Sequence, residues 1–189
     1  SDTVDRPLSL YAATKRAGEL LAHSYAHLYE IPTSVMRLFT VYGPWGRPDM
    51  ALWLFAEAIQ EGRTIDLFNE GKHRRDFTYI DDVVEAVQGL IEHPARPCPT
   101  YDALAPAPDV STAPFRIYNI GNDTSVELVE FVDVIEKAIG KRTERRLVPM
   151  QPGDVEASLA DITPIREAIG WSPSTSIDVG VPRFVAWLK

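Results

Sequence analysis

Tyr11 and Lys15 stand four residues apart in the run Tyr11-Ala12-Ala13-Thr14-Lys15. On a helix this spacing brings a phenol and an ammonium onto one face. A free tyrosine has a pKa of about 10 and is a poor base near neutrality, but a cation beside a phenol favours its anionic form. Such a pair can take a proton from a sugar hydroxyl while hydride leaves the same carbon. The same spacing also occurs on many helices as a plain surface pair, so the two residues do not decide the matter alone.

Three further stretches carry candidate chemistry. From Arg37 to Met50 an apolar segment runs into a loop rich in Gly and Pro that carries Arg47. Ligands of open α/β sheets collect at the carboxyl ends of strands, and an arginine there can grip a carboxylate or phosphate with two parallel hydrogen bonds. Lys72-His73-Arg74-Arg75 places four basic residues in a row in an acidic protein, ahead of Asp76 to Asp82. That suits a diphosphate, although a solvated charge run would look the same. The neighbours Asp81 and Asp82 are better explained by helix capping through Asp81 than by a paired-carboxylate site. Gln151-Pro152-Gly153-Asp154 is a turn whose aspartate could accept from ribose hydroxyls. His23, His27 and His93 have no cysteine or aspartate at metal-ligand spacing, so no metal is expected.

The elements that must position these residues alternate. A helix is predicted from Leu10, closed by Pro32, then a strand over Thr33–Phe39 and a Gly/Pro loop over Tyr42–Asp49. A helix over Ala51–Gln60, short strands over Thr64–Phe68 and Asp76–Ile80, and a helix from Asp81 to about Glu92 follow. Residues 96–114 hold five prolines and little apolar periodicity, which reads as a surface loop. Beyond it come a strand over Arg116–Ile120, an amphipathic helix over Val126–Ile139, a strand over Arg145–Pro149, and helices over Thr163–Ile169 and Val179–Leu188. The alternation is that of an α/β chain. The first confident element is a helix with no strand before it, which leads us to expect a missing N-terminal part.

Bulk properties narrow the function classes. The 189 residues are 45% hydrophobic and 24% charged, an ordinary globular composition. A net charge of −8 argues against a nucleic-acid binder. A single cysteine, Cys98, forbids an intrachain disulfide, and no apolar run is long enough for a membrane span. A cytoplasmic protein is the default expectation.

Taken in order, the motifs resemble the extended short-chain dehydrogenase/reductase superfamily, and within it the nucleotide-sugar epimerases, nearest the group acting on UDP-glucuronate at C4. The likeness rests on Ser9 to Lys15, Arg37 to Met50, Arg75 to Asp82, Tyr118 to Asn122, and Pro152 to Asp154. The stretch through Trp45 and Arg47 is the most specific. The resemblance implies Tyr11 as acid and base at the sugar C4 hydroxyl, with Lys15 holding the ribose of a bound NAD. Leu38 would pass the nicotinamide, and Thr40 and Arg47 would meet the sugar carboxylate. Phe68 would lie near uracil, Arg75 at the diphosphate and Asp154 at the uridine ribose.

The family's Gly-rich pyrophosphate turn has no counterpart in the sequence. The expectation is therefore a C-terminal fragment, inactive by itself. Residues 1–63 would be the tail of a Rossmann-type parallel sheet, and residues 64–189 mainly a small α/β substrate-binding lobe with some elements returning to the sheet. Expected partners are a UDP-sugar and a second copy of the chain, with the Tyr11–Tyr29 helix as the candidate surface for self-association; no nucleic acid and no membrane are expected. The alternatives are a non-catalytic UDP-sugar module, or a related 4,6-dehydratase, reductase or decarboxylase.

Overall fold

The computed structural model describes residues 3–151 and 154–188. Pro152 and Gly153 of the expected turn lie outside the described residues. Along the chain the elements are α1 (Leu10–Tyr29), β1 (Thr33–Leu38), β2 (Thr40–Tyr42), α2 (Ala51–Glu61), β3 (Ile65–Leu67), β4 (Arg74–Tyr79) and α3 (Ile80–Glu92). After the proline-rich segment come β5 (Phe115–Ile120), β6 (Ser125–Glu127), α4 (Leu128–Ile139), β7 (Arg145–Leu147), α5 (Thr163–Ile169) and α6 (Ile177–Leu188). The α/β class expected from the alternation is the one found.

The chain divides into two units, each assembled from three stretches. One unit holds the chain up to Leu38 with Glu85–Ile120 and Asp161–Trp171; the other holds Phe39–Val84, Gly121–Ala160 and the chain from Ser172. Parallel strands need long crossovers, so a unit built on them must collect segments distant in sequence.

In the first unit, Ser9 caps α1 by accepting from the Ala12 N–H at 3.1 Å. β1 and β5 pair in parallel from Thr33 against Phe115 to Leu38 against Ile120. Ala26 of α1 joins Ala113, Phe115 and Ile117 in a small buried cluster, with Ala22 and Val35 against it. The larger apolar residues of α1 behave differently. Leu20, Leu21, Tyr25, Leu28 and Tyr29 are exposed, and α1 buries only Glu19 and Ala26. The proline-rich segment forms no helix or strand element, as expected, and is tied to α1 where His23 Nε2 meets Ser111 Oγ at 2.7 Å.

The second unit has the larger core. β4 is the middle strand of a three-stranded sheet, parallel to β2 and antiparallel to β6. A separate parallel pair joins β3 and β7. Phe77 of β4 stacks on Phe131 of α4, with ring centroids 3.8 Å apart and planes 6° from parallel. Tyr42 meets Phe77, Tyr79 and Phe131 edge-on. Burial pushes the Tyr42 phenol well above its ordinary pKa, so it is a neutral packing group.

Val126 and Glu127 were expected to begin a helix and instead belong to β6. Val126 and Leu128 fit a two-residue period as well as a helical one, and backbone pairing with β4 selects the strand. α3 likewise starts at Ile80, which places Asp81 inside its first turn rather than at its cap. Asp82 is buried and accepts from the backbone N–H groups and hydroxyls of Ser174 and Thr175, bracing the approach to α6. No helix among the described residues is long and apolar enough to cross a membrane.

Gly180 on α6 marks a close approach in this core. A Cβ there would fall 2.2 Å from the Tyr42 hydroxyl oxygen and 2.8 Å from the Tyr79 ring. Gly180→Ala should therefore destabilise the protein by about 1–3 kcal/mol through overpacking. A lowered urea midpoint with an unchanged slope is the expected result; an unchanged midpoint would mean that the core yields there without cost.

Candidate functional site

Most of the sequence-derived candidates line two recesses, one in each unit. In the first unit, α1 presents Tyr11, Lys15 and Glu19 at successive four-residue steps. Tyr11 is 70% exposed, and the Lys15 ammonium lies over its ring, 5.1 Å from the centroid. The expected juxtaposition is present. Both residues line a cleft of about 760 Å³ with Glu19, Arg37 and the segment before α1. Leu38, the last residue of β1, is 53% exposed.

Sequence reasoning missed Glu19. Its carboxylate accepts from Arg37 Nε at 2.7 Å and Nη2 at 3.0 Å, and from Arg16 Nη1 at 2.9 Å. Burial alone would raise its pKa. The hydrogen bonds from Arg37 and Arg16, with their charges, outweigh burial and hold it below the ordinary glutamate value. This network ties α1 to β1 one helical turn beyond Lys15. The signal was available as a third member of the i, i+4, i+8 series, but an acidic residue among helix-surface residues reads as solvated.

In the second unit, Thr40, Phe68, Arg75 and Asp154 line one pocket of about 530 Å³. Arg75 Nη2 donates to Asp154 Oδ1 at 3.1 Å. The pocket wall also carries Met50, Leu54, Phe55, His73 and Phe77. Arg47 lines a smaller adjoining recess that shares Thr40, Met50, Ala51 and Phe77 with this pocket. Its guanidinium is held by Asp49, with Nε to Oδ1 at 3.0 Å and Nη2 to Oδ2 at 2.5 Å. That arginine depresses the Asp49 carboxyl, chiefly by hydrogen bonding.

The basic run does not act as a block. Successive side chains of a strand point to opposite faces. His73, Arg75 and Phe77 line the pocket, whereas Lys72 pairs with Glu70, and Arg74 pairs with Glu127 and the Ser125 carbonyl. Asp76 points away from the pocket residues and is fully buried. It accepts from the Asn122 N–H at 2.6 Å, the Ala160 N–H at 3.1 Å and the Thr78 hydroxyl at 3.1 Å. Burial raises its pKa, with these hydrogen bonds opposing. An open pocket with aromatic and aliphatic walls, a guanidinium and an adjacent carboxylate can take a flat heterocycle, a phosphate group and sugar hydroxyls together.

Residues 1–121 match the model of the NAD dependent epimerase/dehydratase family, and the chain belongs to that family. It is 49% identical over 187 residues to Protein CapI of Staphylococcus aureus, covering 99% of this chain and 56% of that protein. To the probable UDP-glucuronate 4-epimerase of Rhizobium meliloti it is 48% identical over 191 residues, covering 99% of this chain and 55% of that protein. A crystal structure of UDP-glucuronic acid 4-epimerase from Bacillus cereus with UDP-glucuronic acid and NAD is similar at 28% identity and a TM-score of 0.80, over 100% of this chain and 56% of that one. The chain thus spans about half the length of these relatives.

The Glu19 network has a measurable pH signature. Because the folded pKa is depressed, its contribution to stability is complete above the ordinary glutamate value of 4.5 and disappears as pH falls through the folded value. Glu19→Gln should lower stability at pH 7 and flatten the loss of stability below that value. Denaturation curves between pH 7 and 3 test this; parallel acid profiles for the two proteins would show that Glu19 carries no such linkage.

Proposed function

We propose that the protein is a UDP-glucuronate 4-epimerase, and that this chain is its C-terminal part, with the acid/base helix and the nucleotide-sugar pocket. The observation that carries the proposal is the convergence of Thr40, Phe68, Arg75 and Asp154, from four separate places in the sequence, on one pocket. The kinship with UDP-glucuronate 4-epimerases supports it.

On this reading Phe68 packs against uracil, Arg75 neutralises the diphosphate and Asp154 accepts from the uridine ribose. Arg47 exchanges Asp49 for the carboxylate of the sugar, one anion replacing another at the same fork of donors. Tyr11 takes the proton of the C4 hydroxyl and returns it after the 4-keto sugar has turned over. Lys15 keeps a cation beside the phenol and offers N–H donors to ribose hydroxyls.

The Tyr11–Lys15 cleft fits the nicotinamide-ribose end of NAD, since an exposed phenol and an ammonium stand together there with room beside them. Tyr11 and Lys15 would hold NAD there, and the cofactor would supply reversible hydride acceptance at the sugar carbon. The sequence has no G-x-x-G-x-x-G or G-x-G-x-x-G turn for the pyrophosphate.

Two outcomes follow for the 189-residue chain. It should bind UDP and lose that binding on Arg75→Ala by roughly tenfold or more, the worth of a charge-assisted hydrogen bond. With added NAD it should not epimerise UDP-glucuronate. Calorimetry and a chromatographic assay for UDP-galacturonate check these; no heat at millimolar UDP would sink the pocket assignment, and turnover by this chain would sink the assignment of the cofactor site to a longer one.

The exposed Leu20, Leu21, Tyr25, Leu28 and Tyr29 on α1 support self-association through that helix. β1 adds an edge, since among the described residues its one ladder is with β5. Light scattering should give a mass above that of one chain, reduced by Leu21→Glu with Leu28→Glu. A monomeric mass for the unmodified chain at high concentration would contradict this.

A further inference from the structure

His73 is a buried group that the proposed reaction leaves unused. It is 4% exposed and lies in the wall of the second unit's pocket. Its Nδ1 faces the Glu156 carbonyl at 3.4 Å, the outer limit of a hydrogen bond. Its Nε2 is sealed from solvent and has no aligned hydrogen bond. The acceptor nearest to it is Asp154, with Oδ2 at 3.0 Å. A small rotation of the carboxylate would align the two, and burying the imidazole nitrogen unpaired is costly.

Asp154 is held from its other side as well. Its Oδ1 accepts from Arg75 Nη2 at 3.1 Å and from the Val155 N–H at 2.9 Å. A carboxylate offers about four lone-pair sites. Two donors occupy Oδ1, and His73 Nε2 stands 3.0 Å from Oδ2, which keeps acceptor room on that oxygen. Without His73 the carboxylate is free to swing into a two-pronged grip on Arg75, which would spend its acceptor capacity and neutralise the cation.

We propose that His73 is a positioning residue of the nucleotide pocket. It fixes the Asp154 carboxylate so that one acceptor site stays available to ribose hydroxyls while Arg75 keeps donors for an anion. The inference rests on the reading of this pocket as a UDP site, and it predicts ribose-selective behaviour that a merely structural histidine would not give.

The test compares UDP with 2′,3′-dideoxy-UDP by calorimetric titration of the protein and of three variants. The unmodified protein should prefer UDP by about fivefold or more, the worth of a hydrogen bond to a charged acceptor. His73→Met and His73→Asn, neither of which can hold Asp154, should reduce that preference towards unity, mainly by weakening UDP. His73→Gln, which can extend an N–H donor, should restore most of it. Equal weakening of both ligands, or an undiminished preference in both the Met and Asn variants, would overturn the assignment of His73. Failure of the unmodified protein to bind either ligand would instead overturn the nucleotide pocket itself, and the role of His73 with it.

Discussion

The second unit depends on one buried carboxylate. Asp76 sits on the middle strand of its sheet, fully out of water, and takes donors from three stretches: Thr78 on its own strand, Asn122 after β5 and Ala160 before α5. A buried carboxylate without partners would be expensive, and its acceptor sites are strongly directional. It therefore constrains where the chain must return. Gly121 completes the arrangement, because a Cβ there would press to 2.8 Å from Asp76 Oδ2 and 2.2 Å from the Ala160 side chain. The pocket is a consequence of this assembly. With Asp76 anchored on one side of β4, His73, Arg75 and Phe77 take the other, and the returning segment that supplies Ala160 also brings Asp154 beside Arg75.

Much of this was legible in the sequence, for identifiable reasons. Long amphipathic helices closed by glycine or proline were readable at both ends, as with α2 before Gly62 and α4 before Gly140. The Tyr11–Lys15 pairing followed from helical spacing alone. The pocket residues were assigned through family resemblance, since Phe68 and Asp154 are 86 positions apart and no local pattern relates them. Short strands were the weak point. β6 has three residues whose apolar spacing suits either period, and only the neighbouring β4 backbone decides between them.

Two features were hidden because their chemistry is cooperative. Glu19 looks like any solvated helix acid until Arg37 arrives from β1 to join Arg16 around it. His73 looked like one of four basic residues, but it lies buried in the pocket wall while Lys72 and Arg74 pair with Glu70 and Glu127. The α1 surface misled in the opposite direction. Its apolar residues suggest burial, and within this chain most of them meet solvent. Periodicity reports that a face is apolar, not what covers it.

The alternation along β4 has an evolutionary consequence. Residues at even positions from Arg74 to Thr78 answer to the architecture through Glu127, Asn122 and Ala160, while those at 73 and 75 answer to whatever occupies the pocket. A strand partitioned in this way lets mutation explore new ligands at two odd positions without reopening the question of how the chain is put together. Diversification of substrate choice in such a protein can therefore proceed by small replacements on one side of this segment, with the opposite side left to hold the fold.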